Sequence, residues 1–242
     1  GTVRSGFFAA GTHRIVPCAS CPVEAEGARE ILNGVARTLE ELGISAHNED
    51  THRGLARYAV LRLGWRTDES ILTLVTNGRD LPRRSELVER LVALDPRITC
   101  LAQNVNQRPG NAILGRETTV LAGKPVMHDQ LLGCTFEISP TAFYQTNPEQ
   151  TEVLYSLAID AAGFCDGDVV LDAYCGSGTI GICAAAAARE AGGRLRLIGV
   201  ERGEEAVRDA RRNAQLNQLE DAAFIAEDAT TYLTHAASDG QH

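Results

Sequence analysis

Residues 169–182 read VVLDAYCGSGTIGI and contain the pattern that decides the fold. The continuous apolar run from Val169 to Leu171 predicts a strand buried on both faces. A glycine-rich loop follows, and a helix is expected to begin at Thr179. A strand joined to a helix through such a loop is typical of parallel α/β sheets that bind a cofactor beyond the carboxyl ends of their strands. The stretch therefore predicts a Rossmann-like domain.

The residues on either side extend this pattern. A helix is expected to begin after Asn147, because Asn is a good N-cap, Pro148 suits the first helical position and Gln150 has capping-box spacing. One apolar stripe of this helix would comprise Val153, Leu154, Leu157, Ala158 and Ala161. The loop is followed by a predicted helix, strand, helix and strand at Thr179–Ala191, Leu195–Val200, Glu204–Leu216 and Ala222–Ala226. This order implies right-handed crossovers and a parallel sheet.

The first half of the chain has a different organisation. Two helical patterns, Glu24–Leu42 and Ser85–Leu94, alternate with short β-like runs. Strands are predicted at Arg57–Trp65 and Ser70–Thr76, joined as a hairpin by the polar turn Arg66–Glu69, and also at Ile98–Gln103, Thr118–Leu121 and Cys134–Ile138. We therefore predict an α+β domain over residues 1–137 and an α/β domain over residues 138–242.

Composition restricts the classes of partner. The net charge of the 242 residues is −9, and residues 138–242 carry 16 acidic and 7 basic side chains, against 16 of each before them. Nucleic-acid binding normally requires Lys and Arg for the phosphates, so composition alone argues against it. No apolar run approaches the ~18 residues of a membrane span. The seven scattered cysteines indicate reduced thiols, so we expect a cytoplasmic protein without a membrane partner.

Two classes of cofactor fit the spacing of the glycine loop. Gly176, Gly178 and Gly181 match the dinucleotide pattern GxGxxG, and Glu201 follows Gly181 by 20 residues, where a dinucleotide enzyme places its ribose-binding acid. A nicotinamide- or flavin-dependent oxidoreductase is therefore one alternative.

Charge favours a cationic cofactor over a dinucleotide. Asp172, Glu201 and Asp228 fall at or just beyond three predicted strand ends. A pyrophosphate would be repelled there, since like charges ~4 Å apart interact by ~4 kcal/mol at an effective dielectric near 20. S-adenosylmethionine carries an ammonium and a sulfonium but no phosphate. We predict Asp172 near its amine, close backbone approach at Gly176 and Gly178, Glu201 on the ribose hydroxyls and Asp228 at the adenine end. The alternative is that these acids only cap helices or solvate strand ends.

Four segments together resemble the RNA uracil-C5 methyltransferase family, most closely its ribosomal RNA members. They are GFFAAGTHRIV (6–16) followed by Cys21-Pro22, ISPTAFYQTN (138–147), LDAYCGSGTIG (171–181) and ERGEEAVRDARRNAQLN (201–217), which span almost the whole chain. The resemblance implies an S-adenosylmethionine-dependent methyltransferase domain of Rossmann-like fold, preceded by an α+β central domain. It also implies an enzyme that forms 5-methyluridine in RNA, ribosomal in preference to transfer RNA.

The resemblance assigns roles to individual residues. It implies that Gln145, Tyr174, Glu201 and Asp228 contact S-adenosylmethionine, joined by Thr179 at a helix N-terminus. In this family a cysteine thiolate adds to uracil C6, and a carboxylate removes the C5 proton. In the family, the segments that carry the cysteine and the carboxylate follow the third strand of the sheet, and this sequence does not contain them. We therefore expect a monomeric fragment, truncated at both ends, with an incomplete methyltransferase domain and no catalytic residue. The alternative is a non-catalytic cofactor- or RNA-binding remnant.

The cysteines give no clear metal site. Cys175, inside the loop, is expected to be a small buried thiol. Cys18 and Cys21 have metal-ligand spacing, but no second pair follows. Some family members hold an iron–sulfur cluster, for which Cys21 would be the last ligand. The three upstream cysteines of that cluster are not in this sequence, so we expect Cys21 to be unliganded.

Overall fold

The computed structural model describes residues 2–238, which form two compact units. Gly1 and residues 239–242, at the ends of the two predicted domain ranges, lie outside the described residues. The first unit comprises residues 2–64 and 68–127, and the second comprises residues 65–67 and 128–238. The units therefore divide near residue 127, earlier than the predicted boundary at 137.

The first unit is an α+β structure built on a four-stranded sheet. Its elements are β1 (Gly6–Phe8), β2 (Ile15–Pro17), α1 (Ala28–Glu41), β3 (Ala56–Leu63), β4 (Ser70–Thr76), α2 (Arg84–Val92), β5 (Ile98–Val105) and β6 (Glu117–Gly123). The sheet order is β3-β4-β5-β6, in which only the central pair β4–β5 is parallel. β1 and β2 form a separate antiparallel hairpin.

Apolar spacing explains how the helices pack in this unit. Ile31, Val35 and Leu39 recur every fourth residue along α1 and are all buried, as are Leu87 and Leu91 of α2. They form one cluster with residues of the sheet. Every residue of β4 is buried, as a central strand covered on both faces requires.

The second unit contains a parallel sheet flanked by helices. Its elements are β7 (Met127–Leu131), β8 (Cys134–Ile138), α3 (Pro148–Ala162), β9 (Val169–Asp172), α4 (Thr179–Glu190), β10 (Arg196–Glu201), α5 (Glu204–Leu216), β11 (Ala222–Ala226) and α6 (Ala229–Ser238). The sheet order is β11-β10-β9 with both pairs parallel, which confirms the predicted βαβαβ arrangement. β7 and β8 form a two-stranded sheet of their own.

Polar contacts explain why β8 belongs with the second unit. The Asn213 side chain accepts a hydrogen bond from the backbone N–H of Glu137 at 2.8 Å. The Asn217 side chain both accepts from Thr135 N and donates to Thr135 O, at 2.9 and 2.7 Å. Asn213 of α5 and its C-cap Asn217 thus bind the backbone of β8, so residues 134–137 lie in the second unit although the prediction placed them in the first.

The start of α3 agrees with the prediction, but its buried face does not. The Asn147 side chain accepts a hydrogen bond from Gln150 N, as the capping pattern requires. The predicted apolar stripe is exposed, with Leu157 exposed by 63%, whereas the buried residues are Thr151 and Tyr155. The Tyr155 hydroxyl is hydrogen-bonded to Thr179 Oγ1 at 2.8 Å. The face of α3 that carries Thr151 and Tyr155 is therefore the one that packs against the protein.

β9 also differs from the prediction of a strand buried on both faces. It lies at the edge of the sheet that the described residues form, and Val169 is exposed by 59%. None of the helices within residues 2–238 is long and apolar enough to cross a bilayer.

Candidate functional site

The carboxyl ends of β9, β10 and β11 bring the three predicted acids to one edge of the sheet. Asp172 ends β9 and Glu201 ends β10, while Asp228 lies two residues beyond β11. Gly199 is the register partner of Asp172, and Ala226 is that of Glu201. Asp172 and Glu201 are close enough for the charge of Glu201 to raise the pKa of Asp172. The structure thus places these two carboxylates on adjacent strands.

Asp172 has the most unusual environment of the three acids. Its Oδ2 atom is buried and has no hydrogen-bond partner among the described residues. Burial raises the pKa of Asp172 above its ordinary value, and the backbone N–H groups of Gly181 and Tyr174 oppose that shift. An unpaired buried carboxylate oxygen is costly and suits a cationic or hydrogen-bond-donating ligand.

Glycine is needed at the three positions of the loop for different structural reasons. Gly176 and Gly178 adopt left-handed φ values of 54° and 84°, which favour glycine. A Cβ on Gly178 would also lie 3.1 Å from the Phe224 ring, whereas one on Gly176 would meet no atom within 4 Å. Gly176 therefore leaves open space, while Gly178 allows close packing inside the protein. A Cβ on Gly181 would approach Leu197 to 2.7 Å, so this glycine lets α4 pack against the sheet.

The two other acids have hydrogen-bond partners in the protein. Glu201 Oε1 accepts from Gly203 N at 2.7 Å, and Asp228 Oδ1 accepts from Thr230 N and Thr231 N at 3.0 and 3.2 Å. Asp228 therefore acts as the N-cap of α6, one of the structural roles that the sequence left open. Each of these contacts uses one carboxylate oxygen, which leaves the second oxygen for a ligand.

Of the remaining predicted contacts, Tyr174 and Thr179 flank the glycine loop, and Gln145 lies elsewhere in the chain, before α3. Tyr174 is exposed by 77%, and Gln145 is partly buried in the segment before α3. Thr179 begins α4, where its hydroxyl is hydrogen-bonded to Tyr155. The structure thus puts Asp172, Tyr174 and Thr179 on one strand–loop–helix segment.

Asn213 is a positioning residue that the sequence interpretation did not single out. It is fully buried, and its Nδ2 atom donates to Ser177 O in the glycine loop at 3.1 Å while its Oδ1 atom accepts from β8. The available signal was an asparagine on the face of α5 that also carries Val207, Ala210 and Ala214. A polar residue there must have partners on the facing elements.

The cysteine of the loop lacks the features of an activated nucleophile. Burial raises the pKa of Cys175 to about 12, and the negative charges of Asp172 and Glu201 act in the same direction. A catalytic cysteine needs a depressed pKa and access to substrate. Cys175 is therefore a buried packing thiol, as expected.

The predicted metal candidates are not clustered with other ligands. Cys18 and Cys21 are both partly buried free thiols, and Cys18 Sγ donates to Ser20 O at 3.0 Å. Among the residues that the structure describes, no group of three or more His, Cys, Asp or Glu side chains could hold a metal ion. Cys21 remains a prediction from the resemblance only.

Comparisons with known proteins bear on both units. Residues 165–241 match a family model described as a methyltransferase domain. An uncharacterized RNA methyltransferase of Staphylococcus aureus is 37% identical over 235 residues, which are 97% of this chain and 51% of that protein. One from Halalkalibacterium halodurans is 38% identical over 229 residues, 95% of this chain and 49% of that protein. The chain spans about half the length of the curated relatives it matches.

A solved structure extends the similarity to the fold. The Pyrococcus abyssi tRNA (uracil-54, C5)-methyltransferase, in complex with S-adenosyl-L-homocysteine, matches with a TM-score of 0.71 and 27% identity. The match covers 88% of this chain and 49% of the other. It confirms the predicted fold class and, with the methyltransferase-domain match, the S-adenosylmethionine type of cofactor. The second unit therefore has the Rossmann-like fold of S-adenosylmethionine-dependent methyltransferases, and the chain is similar over nearly its whole length to RNA methyltransferases.

Proposed function

We propose that this chain binds S-adenosylmethionine at the carboxyl ends of β9 and β10, in a protein that methylates C5 of uracil in RNA. One observation carries the cofactor assignment: the buried and unpaired Oδ2 atom of Asp172 at the end of β9. A ligand with an ammonium group supplies the missing partner, whereas a pyrophosphate would add a second negative charge. The dinucleotide alternative is disfavoured for this reason.

In this proposal, different residues bind different parts of the cofactor. Asp172 faces the methionine amine, and the free oxygen of Glu201 accepts from the ribose hydroxyls. Gly176 leaves space for close approach, since no atom lies within 4 Å of its Cβ position. Tyr174, Thr179, Gln145 and Asp228 complete the site as further contacts. When bound, the cofactor supplies the electrophilic methyl group, and these residues orient it.

The choice of uracil C5 rests on similarity. The resemblance of ISPTAFYQTN and the glycine loop to the uracil-C5 family is supported by the P. abyssi enzyme, whose name specifies uracil 54 of tRNA. We propose ribosomal RNA as the target because the segments resemble the ribosomal members most. Cys175 is buried with a raised pKa, so we do not propose it as the nucleophile.

The experiment uses the full-length protein with methyl-labelled S-adenosylmethionine. Separate reactions contain ribosomal RNA and transfer RNA from cells that lack the gene, and the digested nucleosides are identified by mass spectrometry. The proposal expects labelled 5-methyluridine in the ribosomal RNA reaction. A label on another nucleoside would contradict the uracil-C5 assignment, and a label confined to transfer RNA would contradict the target. Cofactor binding without any transfer would favour the non-catalytic alternative.

A further inference from the structure

The turn between β3 and β4 belongs to the second unit, to which several hydrogen bonds connect it. The backbone N–H groups of Trp65 and Arg66 donate to Asp129 Oδ2 and Oδ1 at 3.0 and 2.9 Å. Asp129 is fully buried, and Thr67 Oγ1 donates to His128 O at 2.6 Å. These contacts hold the turn in one position and leave the Trp65 side chain exposed by 37%.

Trp65 and Arg66 form a stacked pair on this turn. The guanidinium carbon of Arg66 lies 4.1 Å from the centroid of the indole ring. Glu152 of α3 orients the guanidinium through contacts of 2.8 Å to its Nη2 and 3.3 Å to its Nε. Glu152 is itself held by Leu132 N at 2.8 Å. The pair is therefore preorganised, and its exposed side needs little ordering to receive a planar ligand.

The carboxylate that holds this turn also acts on the segment that precedes α3. Burial raises the pKa of the Tyr144 hydroxyl, and the negative charge of Asp129, the carboxylate that accepts from the Trp65 and Arg66 amides, acts in the same direction. Tyr144 stands between Phe143, which is exposed by 72%, and Gln145. One buried carboxylate, Asp129, thus holds the backbone of the Trp65–Arg66 pair and lies near Tyr144, whose neighbour Phe143 is exposed.

We propose that the exposed side of the Trp65–Arg66 pair stacks an unpaired nucleobase of the RNA substrate. This inference rests on the proposed function. Single-stranded RNA is commonly recognised by stacking of bases on aromatic rings and guanidinium planes. Stacking does not require excess positive charge, and the chain carries a net charge of −9. The pair therefore provides affinity for RNA that does not depend on an excess of basic residues.

Trp65 is the single tryptophan of this chain, so its fluorescence reports on the pair directly. The probes are a short single-stranded RNA and a perfect duplex of the same sequence. We expect the single strand to quench Trp65 emission in a saturable manner and the duplex to leave it nearly unchanged. Equal quenching by the two RNAs, or none by either, would overturn the inference.

Variants of the full-length enzyme provide an independent readout. Trp65→Ala should raise KM for RNA by roughly tenfold to a hundredfold with kcat and cofactor affinity little changed, because one stacked base is lost. Trp65→Phe keeps an aromatic face and should restore most of the affinity. Arg66→Ala should also raise KM, whereas Arg79→Ala, which removes an exposed arginine paired with Glu117 in the first unit, should not.

The outcomes separate this inference from the proposed function. If the wild-type enzyme forms 5-methyluridine but Trp65→Ala has an unchanged KM, the stacking proposal is wrong and the proposed function stands. If Trp65→Phe is as impaired as Trp65→Ala, the effect is not stacking, and the inference is again wrong. If the wild-type protein methylates no uracil, the proposed function fails, while quenching of Trp65 by single-stranded RNA still tests the binding site.

Discussion

At the scale of single residues, Asp172 has opposite effects on the stability of the free protein and on cofactor binding. Its carboxylate is buried with one unpaired oxygen, so the cofactor-free protein bears the cost of a desolvated negative charge. A ligand ammonium would compensate that cost. The same residue is therefore expected to destabilise the free protein and to strengthen cofactor binding.

Asp172→Asn tests this opposition. The pKa of Asp172 is raised by burial, so the folded protein gains stability as pH falls through that pKa and loses it as pH rises. The variant removes the charge and should raise the urea midpoint of the free protein at pH 7, with a smaller gain at lower pH. Cofactor affinity should fall about tenfold to a hundredfold, since charge-assisted hydrogen bonds contribute ~1.5–3 kcal/mol.

A matched variant provides the control for this experiment. Asp228→Asn keeps the N-cap of α6 because Asn caps as well as Asp, so the urea midpoint should not change. A lower midpoint for Asp172→Asn, or unchanged cofactor affinity, would contradict the account of Asp172.

The loop cysteine gives a second prediction at this scale. Cys165 is exposed, whereas Cys175 is buried with its pKa raised to about 12. Iodoacetamide at pH 8 should therefore alkylate Cys165 long before Cys175, because only the thiolate reacts. Peptide mass spectrometry over a time course measures both rates in one sample. Rapid labelling of Cys175 in the folded protein would mean that the thiol is accessible and ionised.

At the scale of elements, α5 connects β8 to the glycine loop. Asn213 and Asn217 lie one turn apart and both bind the backbone of β8, but only Asn213 also donates to Ser177 O. Asn213 therefore holds both the glycine loop and β8, whereas the C-cap Asn217 holds β8.

Asn213→Ala should reduce both stability and cofactor affinity. It leaves Glu137 N and Ser177 O without this partner, and each buried unpaired group costs about 1–3 kcal/mol. Asn217→Ala should lower stability by a smaller amount, since Asn217 is only partly buried, and should not change cofactor affinity. Urea unfolding and calorimetry check both variants. Equal loss of affinity in the two would show that the Asn213–Ser177 contact does not position the loop.

The elements also show what periodicity predicts well and where it fails. α5 and β11 have the predicted bounds because acids at the helix start and apolar strand residues are local signals. The buried face of α3 does not follow from its apolar stripe, because a stripe does not specify which side neighbouring elements occupy. Glu152 and Tyr155, through bonds to Arg66 and Thr179, determine that side. Such partners are distant in sequence and cannot be predicted from spacing.

At the scale of the whole molecule, the classes of the two units could be predicted from the sequence, whereas the boundary between them could not. The α+β and α/β classes were predictable because they follow from the order of elements. The division near residue 127 was not, since it depends on contacts between Asn217 and β8 that join residues far apart in the chain. Of the candidate site, the positions of Asp172 and Glu201 at adjacent strand ends were predictable, whereas the unpaired Oδ2 atom and the role of Asn213 required the structure.

The most direct test of the central claim is calorimetric titration of the protein with S-adenosylhomocysteine and, separately, with NAD. We expect saturable binding of the first and none of the second. Glu201→Ala should weaken the binding roughly tenfold to a hundredfold, while Glu204→Gln, at an exposed acid near the same strand end, should not. Binding of NAD, or S-adenosylhomocysteine affinity unchanged in Glu201→Ala, would contradict the assignment of this crevice to a methyltransferase cofactor.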